Sequence, residues 1–593
     1  MRAAPATGLP RFWPYLTPVR PLLLAGLGAS VAQAVMQWLA PWPLKIIFDS
    51  VIGSHPVPGP VRFLPANPSG RLVVLTLATL VIAVLLGLAG YGANRWVANA
   101  GQRVVFDIRT DLFTHLSRQS VGFHQRRTTG DLMSRLDGDV SQIQSLMVDA
   151  VPTVVNNVVT LAGMVVIMLV MDWHFAATLL LTVPLLTWLV VHYLRRIKTA
   201  QREALRRQGE ASAVAQEVLT SLTVVQAFGA EERETLRFAG SSSAALQASR
   251  RAVVLQSQFT PLVGLVVTGA SAVVVYVGVH AVLAGRLTAG DLLVFMAYLR
   301  GIYTPVRQLA KLAGVVGRGH AAAERVAEIL DADEAMPEPA RPRPLRRAQG
   351  TLSLHQVSHR YASGQDGLDR VDLHVPAGSR LALVGATGSG KSTLLRLLPR
   401  FLDPSGGVVR LDGVDLRELS VADLRRQIAL VPQEPYLFRA SVWENIAYGG
   451  TGLSRSDSIR AAKAAGVHEV IESFPAGYDT LLAERGSSLS GGQRQCLSLA
   501  RAMARDAPIL LLDEPTTGID VDVEALLLQA LDNASQGRTT LLASHQPRAI
   551  QHCEQVALLE HGRLVAQDTH GALARQGLAW WLPAPTEDRL ARR

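Results

Sequence analysis

The stretch Gly385-Ala386-Thr387-Gly388-Ser389-Gly390-Lys391-Ser392 constrains this chain more than any other. The apolar run from Arg380 to Val384 before it predicts a buried strand, and the run from Ser392 to Leu398 predicts a helix. Strand, glycine-rich loop and helix are the order that a phosphate-binding loop of pattern G-x-x-x-x-G-K-[ST] requires. Small residues let backbone N–H groups wrap a phosphate chain, and the helix N-terminus adds a favourable dipole. In such a loop Lys391 reaches the β- and γ-phosphates, and Ser392 can ligate Mg²⁺. An ordinary glycine turn before a helix shares the pattern, so the rest of the chain decides between the two.

At 593 residues the chain is too long for one ordinary domain. Hydrophobic residues make up 49% and charged residues 18%, and the apolar excess lies between Pro21 and about Pro305. The net charge of +10 fits either a nucleic-acid partner or a membrane protein whose Lys and Arg collect in cytoplasmic loops. The only cysteines, Cys496 and Cys553, do not indicate a disulfide framework, which suits a reducing compartment. The first apolar stretch is long for a signal peptide, so no removable leader is expected.

Six apolar segments, near 21–48, 71–97, 147–171, 173–194, 260–284 and 291–312, are each long enough to span roughly 30 Å of hydrocarbon. Helices are the expected form, since backbone groups in lipid must pair internally and no alternating barrel pattern is present. Two connections are long and rich in arginine, from Arg95 to about Gln144 and from Arg195 to about Gln258. The positive-inside rule puts both, and both termini, in the cytoplasm. Each breaks near its middle, at Ser120–His124 and at Thr220–Gly229, as the tip of a projecting helical hairpin would. Arg300 lies within the sixth segment, where it either lines a cavity that attracts anionic groups or partners a carbonyl or lipid phosphate. Gln33, Gln37, Asn156 and Asn157 fit a cavity lining or polar packing between helices.

The expected organisation is therefore an interfacial segment over 1–20, a transmembrane domain over 21–330 and a Pro-rich linker over 331–349. A nucleotide-binding domain over 350–575 and a tail over 576–593 follow. Within the second domain, the apolar run ending in Asp513 and Glu514 reads as a buried strand with two terminal carboxylates. Asp513 suits Mg²⁺, and Glu514 is placed to polarise an attacking water. Leu489-Ser490-Gly491-Gly492-Gln493-Arg494-Gln495 opens a helical run and makes a second anion-recognising helix N-terminus.

These strings together resemble an ATP-binding cassette half-transporter of the exporter type, over roughly residues 10–575. The resemblance implies a six-span helical bundle with extended cytoplasmic helices, fused to an α/β P-loop ATPase domain. Tyr361 looks like the aromatic that stacks on adenine. Gln433, in Val431-Pro432-Gln433, matches the glutamine that touches Mg²⁺ and senses the membrane domain. Glu484-Arg485-Gly486 resembles the stretch that contacts the helical tips, Asp520 the aspartate that crosses to the partner, and His545 the switch histidine on the γ-phosphate. The implied catalytic set is Glu514, His545, Lys391 and Gln433, with Ser392, Gln433 and Asp513 around the metal. ATP then lies between the phosphate loop Gly385–Thr393 of one protomer and the Ser490–Gln493 helix start of the other, with Asp520 nearby. The family usually carries Ser-Ala-Leu-Asp where this chain has Thr517-Gly518-Ile519-Asp520, Gly where Ala483 stands, Arg where Cys496 stands, and Arg-Leu where Gln546-Pro547 stands. None of these departures removes a group that acts directly on ATP.

The resemblance implies an integral protein of a bacterial inner or plasma membrane. It would export amphipathic drugs, lipids or peptides by alternating access, as a homodimer or with a second half-transporter. An exporter-fold importer, one half of a heterodimer and an ATP-gated channel or regulator remain open alternatives. No nucleic-acid partner is expected.

Overall fold

The computed structural model describes residues 9–53, 64–65, 67–180, 182–361, 364–450, 452–517, 519 and 521–579. One compact unit takes the chain up to Ser117 together with Thr129–Ala332; the other takes Arg118–Thr128 and the chain from Asp333 onward.

The first unit is helical. Helix α1 (Arg20–Leu39) opens with Pro21, where a missing N–H costs nothing, and yields near Pro41 to α2 (Trp42–Ile47). A π-turn, Phe48–Ile52, follows. Helix α3 (Pro68–Arg118) exposes Leu77, Leu80, Val84 and Leu88, an apolar surface that suits lipid. Helix α4 (Val121–Arg126) belongs to the second unit. Helix α5 (Ala150–Met171) turns at Asp172, whose carboxylate accepts the Phe175 N–H at 2.9 Å, into α6 (Trp173–Leu180). Helices α7 (Thr182–Thr220) and α9 (Glu231–Leu283) pack against each other, joined through short α8 (Leu222–Ala227) and Gly229 at φ +58°. Helix α10 (Ala289–Asp331) starts with a capping box between Thr288 and Asp291.

Among the described residues, four helical stretches are long and apolar enough to cross a membrane: Arg20–Ile52, Pro68–Arg118, Thr129–Met171 and Glu231–Leu283. The other two expected spans fall on α6–α7 and α10, which are not among these four. Arg195, Arg196 and Lys198 on α7, and Arg300 and Arg307 on α10, dilute their apolar character. Arg300 is exposed on α10.

Two contact sets tie α1 and α2 into this unit. The Trp38 indole donates to the Thr160 carbonyl at 3.1 Å and covers Gly163, where any Cβ would overlap the ring. The Tyr298 hydroxyl donates to the Trp38 carbonyl at 2.5 Å and accepts from the Trp42 indole at 3.1 Å. Beyond them, buried Asp49 accepts from Lys45 (2.8 Å), the Thr288 hydroxyl (2.9 Å) and the Gly290 N–H (2.9 Å). Lys45 also pairs with Asp291 at 2.9 Å, so the start of α10 is held by a fully bonded charge network.

The second unit is α/β. Its strands are β1 (Leu352–Arg360), β2 (Asp366–Val375), β3 (Arg380–Val384), β4 (Gly406–Leu411), β5 (Val414–Asp415), β6 (Ile428–Val431), β7 (Ile509–Asp513), β8 (Thr539–Ala543), β9 (Gln555–Glu560) and β10 (Arg563–Thr569). They form an antiparallel sheet, β2-β1-β4-β5, and a second sheet, β10-β9-β3-β8-β7-β6, parallel except for its β10 edge. Continuous apolar strands such as Ile509–Leu512 are buried on both faces, as a covered parallel sheet demands. One face meets Leu394, Leu395 and Leu398 of α11 (Lys391–Leu397) and its C-cap; the other meets α12 (Gly491–Ala504) through Cys496, Leu497 and Leu499. Cys496 and Cys553 are buried free thiols, raised by burial to about 11 and about 12.

Short α4 carries the first expected hairpin tip. Ser120 caps it, the Ser120 N–H donates to the Glu334 carbonyl at 3.2 Å, Gln119 bridges to Ala335, and Arg126 pairs with Glu334. The second expected tip is α8, with Val224 and Phe228 exposed.

Candidate functional site

The phosphate-loop string connects the C-terminal end of β3 to α11 at the centre of the parallel sheet. Its turn depends on glycine. Gly385, Gly388 and Gly390 hold φ values of +154°, +83° and +107°. A Cβ on Gly385 would collide with the Leu559 carbonyl, and one on Gly390 would lie 2.6 Å from the Gly367 carbonyl. The loop surrounds the Lys391 ammonium, which donates to the carbonyls of Gly385 (2.8 Å) and Ala386 (3.0 Å). Burial pulls this ammonium below the usual lysine value, against the opposing pull of Glu514 and Asp513. Ser389 carries a buried hydroxyl with no partner.

Strand β7 delivers the carboxylates. Asp513 accepts the Ser392 hydroxyl at 3.2 Å, and burial pushes its carboxyl above the ordinary value. Glu514 sits at φ +47°, an uncommon conformation for a non-glycine residue, fixed by its N–H donating to the Ala543 carbonyl at 2.9 Å. That kink brings its side chain to three partners. Gln433 donates to it at 3.0 Å, Thr517 at 3.3 Å, and His545 Nδ1 lies 3.4 Å away. His545 follows β8, the neighbour of both β3 and β7.

A cavity of 610 Å³ lies over these groups, lined by Gly385–Ser389, Lys391, Glu514, His545, Leu558, Glu560 and His561. Tyr361 stands beside the loop: its hydroxyl is 2.8 Å from the Thr393 hydroxyl, and its ring meets His359 edge-on. Ser490, Gly491, Gly492 and Gln493 do not line the cavity. They form their own helix start, in which Ser490 and Gln493 cap each other at 2.9 and 3.2 Å. Asp520 lies outside the described residues.

The family model of the ABC transporter transmembrane region matches residues 23–306, and the ABC transporter family model matches residues 368–517. A lipid A-core flippase of Aromatoleum aromaticum is 34% identical over 97% of this chain and 96% of its own length. The ABC transporter ATP-binding protein YknV of Bacillus subtilis is 31% identical over 90% of this chain and 88% of its own. The chain belongs to the ABC transporter family. Among solved structures, a bacterial Atm1-family ABC exporter with ATP bound superposes with a TM-score of 0.77 at 26% identity, over 96% of this chain and 99% of that one. This ABC transporter is an integral membrane protein that couples ATP hydrolysis to transport.

Sequence reasoning did not single out Glu560 and His561 of the transporter's cavity wall, nor Thr393 as the anchor of Tyr361. Glu560 ends β9, His561 follows it before Gly562, and the two form no motif. They reach the cavity only because β9 pairs with β3. The Thr517 contact to Glu514 was equally invisible, since it depends on the kinked backbone at Glu514.

Proposed function

We propose that this ABC transporter is an exporter of amphipathic molecules, lipid or drug-like, working by alternating access as a homodimer with two shared ATP sites. The observation that carries the reading is the Glu514 carboxylate, held by Gln433 and His545 on a cavity whose other wall is the Lys391 loop. Glycines without Cβ, the caged Lys391 ammonium and the unpartnered Ser389 hydroxyl fit a triphosphate. Ser392, Asp513 and Gln433 offer hard oxygen donors that fit Mg²⁺, which supplies charge neutralisation on the phosphates when bound.

Tyr361, braced by Thr393, stacks on the base. Lys391 leaves its backbone carbonyls for the phosphate oxygens. Glu514 orients the attacking water and accepts its proton, while His545 and Lys391 stabilise charge on the transferred phosphoryl group. The Ser490–Gln493 helix start closes over the nucleotide of a second copy, so that ATP favours the closed dimer because only there does it touch both halves. Gln433 relays the state of the site to the membrane helices through the tips at α4 and α8.

Six spans, cytoplasmic termini and a bacterial inner membrane complete the reading. Relatives named lipid A-core flippases support a lipid-like substrate. The test is transport in inside-out vesicles carrying the purified chain. ATP-dependent accumulation of a fluorescent lipid or dye in the lumen is expected. Uptake in the opposite direction, or ATP hydrolysis without any translocation, would overturn export.

A further inference from the structure

A second cavity, of 510 Å³, lies wholly in the helical unit between α1, α3, α5 and α10. Ser30, Gln33, Asn94, Asp149, Asn156 and Gln308 supply its polar wall. Asp149 is the only acid in that lining, and no Lys or Arg is present among the described residues that form it.

Its depth follows from helix rise. Asp149 immediately precedes the 22 residues of α5, which rise about 33 Å at 1.5 Å each. Gln308 lies about 30 Å along α10 from its capped start by the same rise. Both distances match the thickness of the hydrocarbon core. The Asp149 and Gln308 end of the cavity therefore sits at headgroup level, at the membrane face that the proposed topology assigns to the cytoplasm, and the cavity extends from there toward Gln33 and Asn156.

Asp149 is delivered there by a π-turn, Ser145–Asp149, of a kind that often marks functional positions in helices. Its carboxylate is half-buried, and its partners are neutral. The Gln144 amide donates to both oxygens at 3.2 Å, and the Ser145 hydroxyl donates as well. A carboxylate withdrawn from water is ordinarily paired with a cation. The side-chain oxygen of Asn156, on the same wall, is buried and has no hydrogen-bond partner. The wall thus presents one negative charge and one unsatisfied acceptor, and nothing that would neutralise a phosphate.

We propose that this pocket receives the cationic headgroup of an amphiphile, an ammonium or amine, with Asp149 as its counter-ion and its alkyl chain left in the bilayer. This rests on the export reading above and narrows it to a substrate class. Gln33 and Asn156 then act as positioning acceptors, and an anionic headgroup is excluded from the site by Asp149.

The test is equilibrium binding of radiolabelled dodecyltrimethylammonium to the full chain in nanodiscs, with empty discs subtracted. Dodecyl phosphate, dodecyl glucoside and tetramethylammonium are the comparison probes. Saturable binding of dodecyltrimethylammonium is expected, at least about tenfold weaker in Asp149→Asn and largely restored in Asp149→Glu. Asn is isosteric and keeps one acceptor oxygen for Gln144, and thermal melting of each variant verifies folding. Tighter binding of the phosphate, equal binding of the glucoside, or no effect of Asp149→Asn would overturn the proposal. Equal binding of tetramethylammonium would overturn the amphiphile and leave a free-cation site. ATP hydrolysis by the unmodified chain is measured in parallel. Intact hydrolysis with no ammonium binding refutes this inference alone, whereas absent hydrolysis refutes the homodimeric export reading on which it rests.

Discussion

The side-chain amide of Gln433 donates to Oε2 of Glu514 at 3.0 Å. Gln433 stands just past β6 and Glu514 just past β7, which pair in parallel, so the contact bridges the ends of adjacent strands. The same loop is tied to α12 by the Gln495 amide, 3.4 Å from the Pro432 carbonyl. A movement of this loop therefore reaches the Glu514 carboxylate and the helix that opens with Ser490. Gln433→Ala should lower ATP turnover by roughly 10- to 100-fold, because Glu514 loses one of the groups that orient it. Affinity for ATP should change far less. Steady-state hydrolysis and nucleotide binding, measured side by side, check this; equal loss of both would point to a collapsed site.

Asp513 makes the site unstable when empty. Its folded carboxyl is raised by burial and by the neighbouring Glu514 charge, against the Ser392 hydrogen bond. The folded chain holds this proton more tightly than the unfolded chain does. The stabilising contribution is fully present below the unfolded carboxyl value of about 3.9, and is lost as pH rises through the raised folded value. Asp513→Asn should therefore raise the melting temperature of nucleotide-free protein at neutral pH, in EDTA, and flatten its pH dependence, while abolishing hydrolysis. Thermal melts between about pH 4 and pH 8 read this window. A lowered melting temperature in the variant would contradict it.

The network around Asp49 predicts a strong backbone effect. A Cβ on Gly290 would lie 2.6 Å from both Asp49 carboxylate oxygens and from the Lys45 carbonyl. Gly290→Ala should force α2 and the start of α10 apart. Asp49→Ala should leave Lys45, Thr288 and the Gly290 N–H short of an acceptor. Each should destabilise the helical unit by roughly 2–4 kcal/mol, read as earlier melting in detergent. Thr288→Val, which removes both a donor to Asp49 and the N-cap acceptor of the Asp291 N–H, should cost about 2 kcal/mol.

Much of the candidate site was legible because its motifs are local in sequence. Gly385–Ser392 specifies its own turn, and the run ending at Asp513-Glu514 specifies a strand end. The parallel sheet then brings them together, with His545 arriving on the strand between. What the sequence did not reveal depends on long-range register: Glu560 and His561 join the cavity through the β9–β3 pairing, and Thr517 reaches Glu514 through a backbone kink. In the helical unit, apolar runs marked the helices but not how each is divided. Phe48–Ile52, Arg135–Asp139 and Ser145–Asp149 are π-turns, which carry no compositional signal. Gln33 and Asn156 were read as cavity candidates, and they do line one pocket. Gln37 instead accepts the Thr160 hydroxyl at 3.4 Å, and Asn157 is buried in helix packing. Asp149, which decides the charge of that pocket, was missed because it falls at a helix junction where an acidic residue is unremarkable.

ATP hydrolysis by the chain purified alone in lipid nanodiscs, beside Glu514→Gln, shows whether Glu514 drives turnover in a site that this chain completes with a second copy of itself. Turnover is expected for the unmodified chain, with a loss of at least about 100-fold in the variant and ATP binding retained with the closed dimer favoured. Normal turnover in Glu514→Gln would contradict the catalytic assignment, and ATP binding without turnover in the unmodified chain would contradict the self-sufficient homodimer.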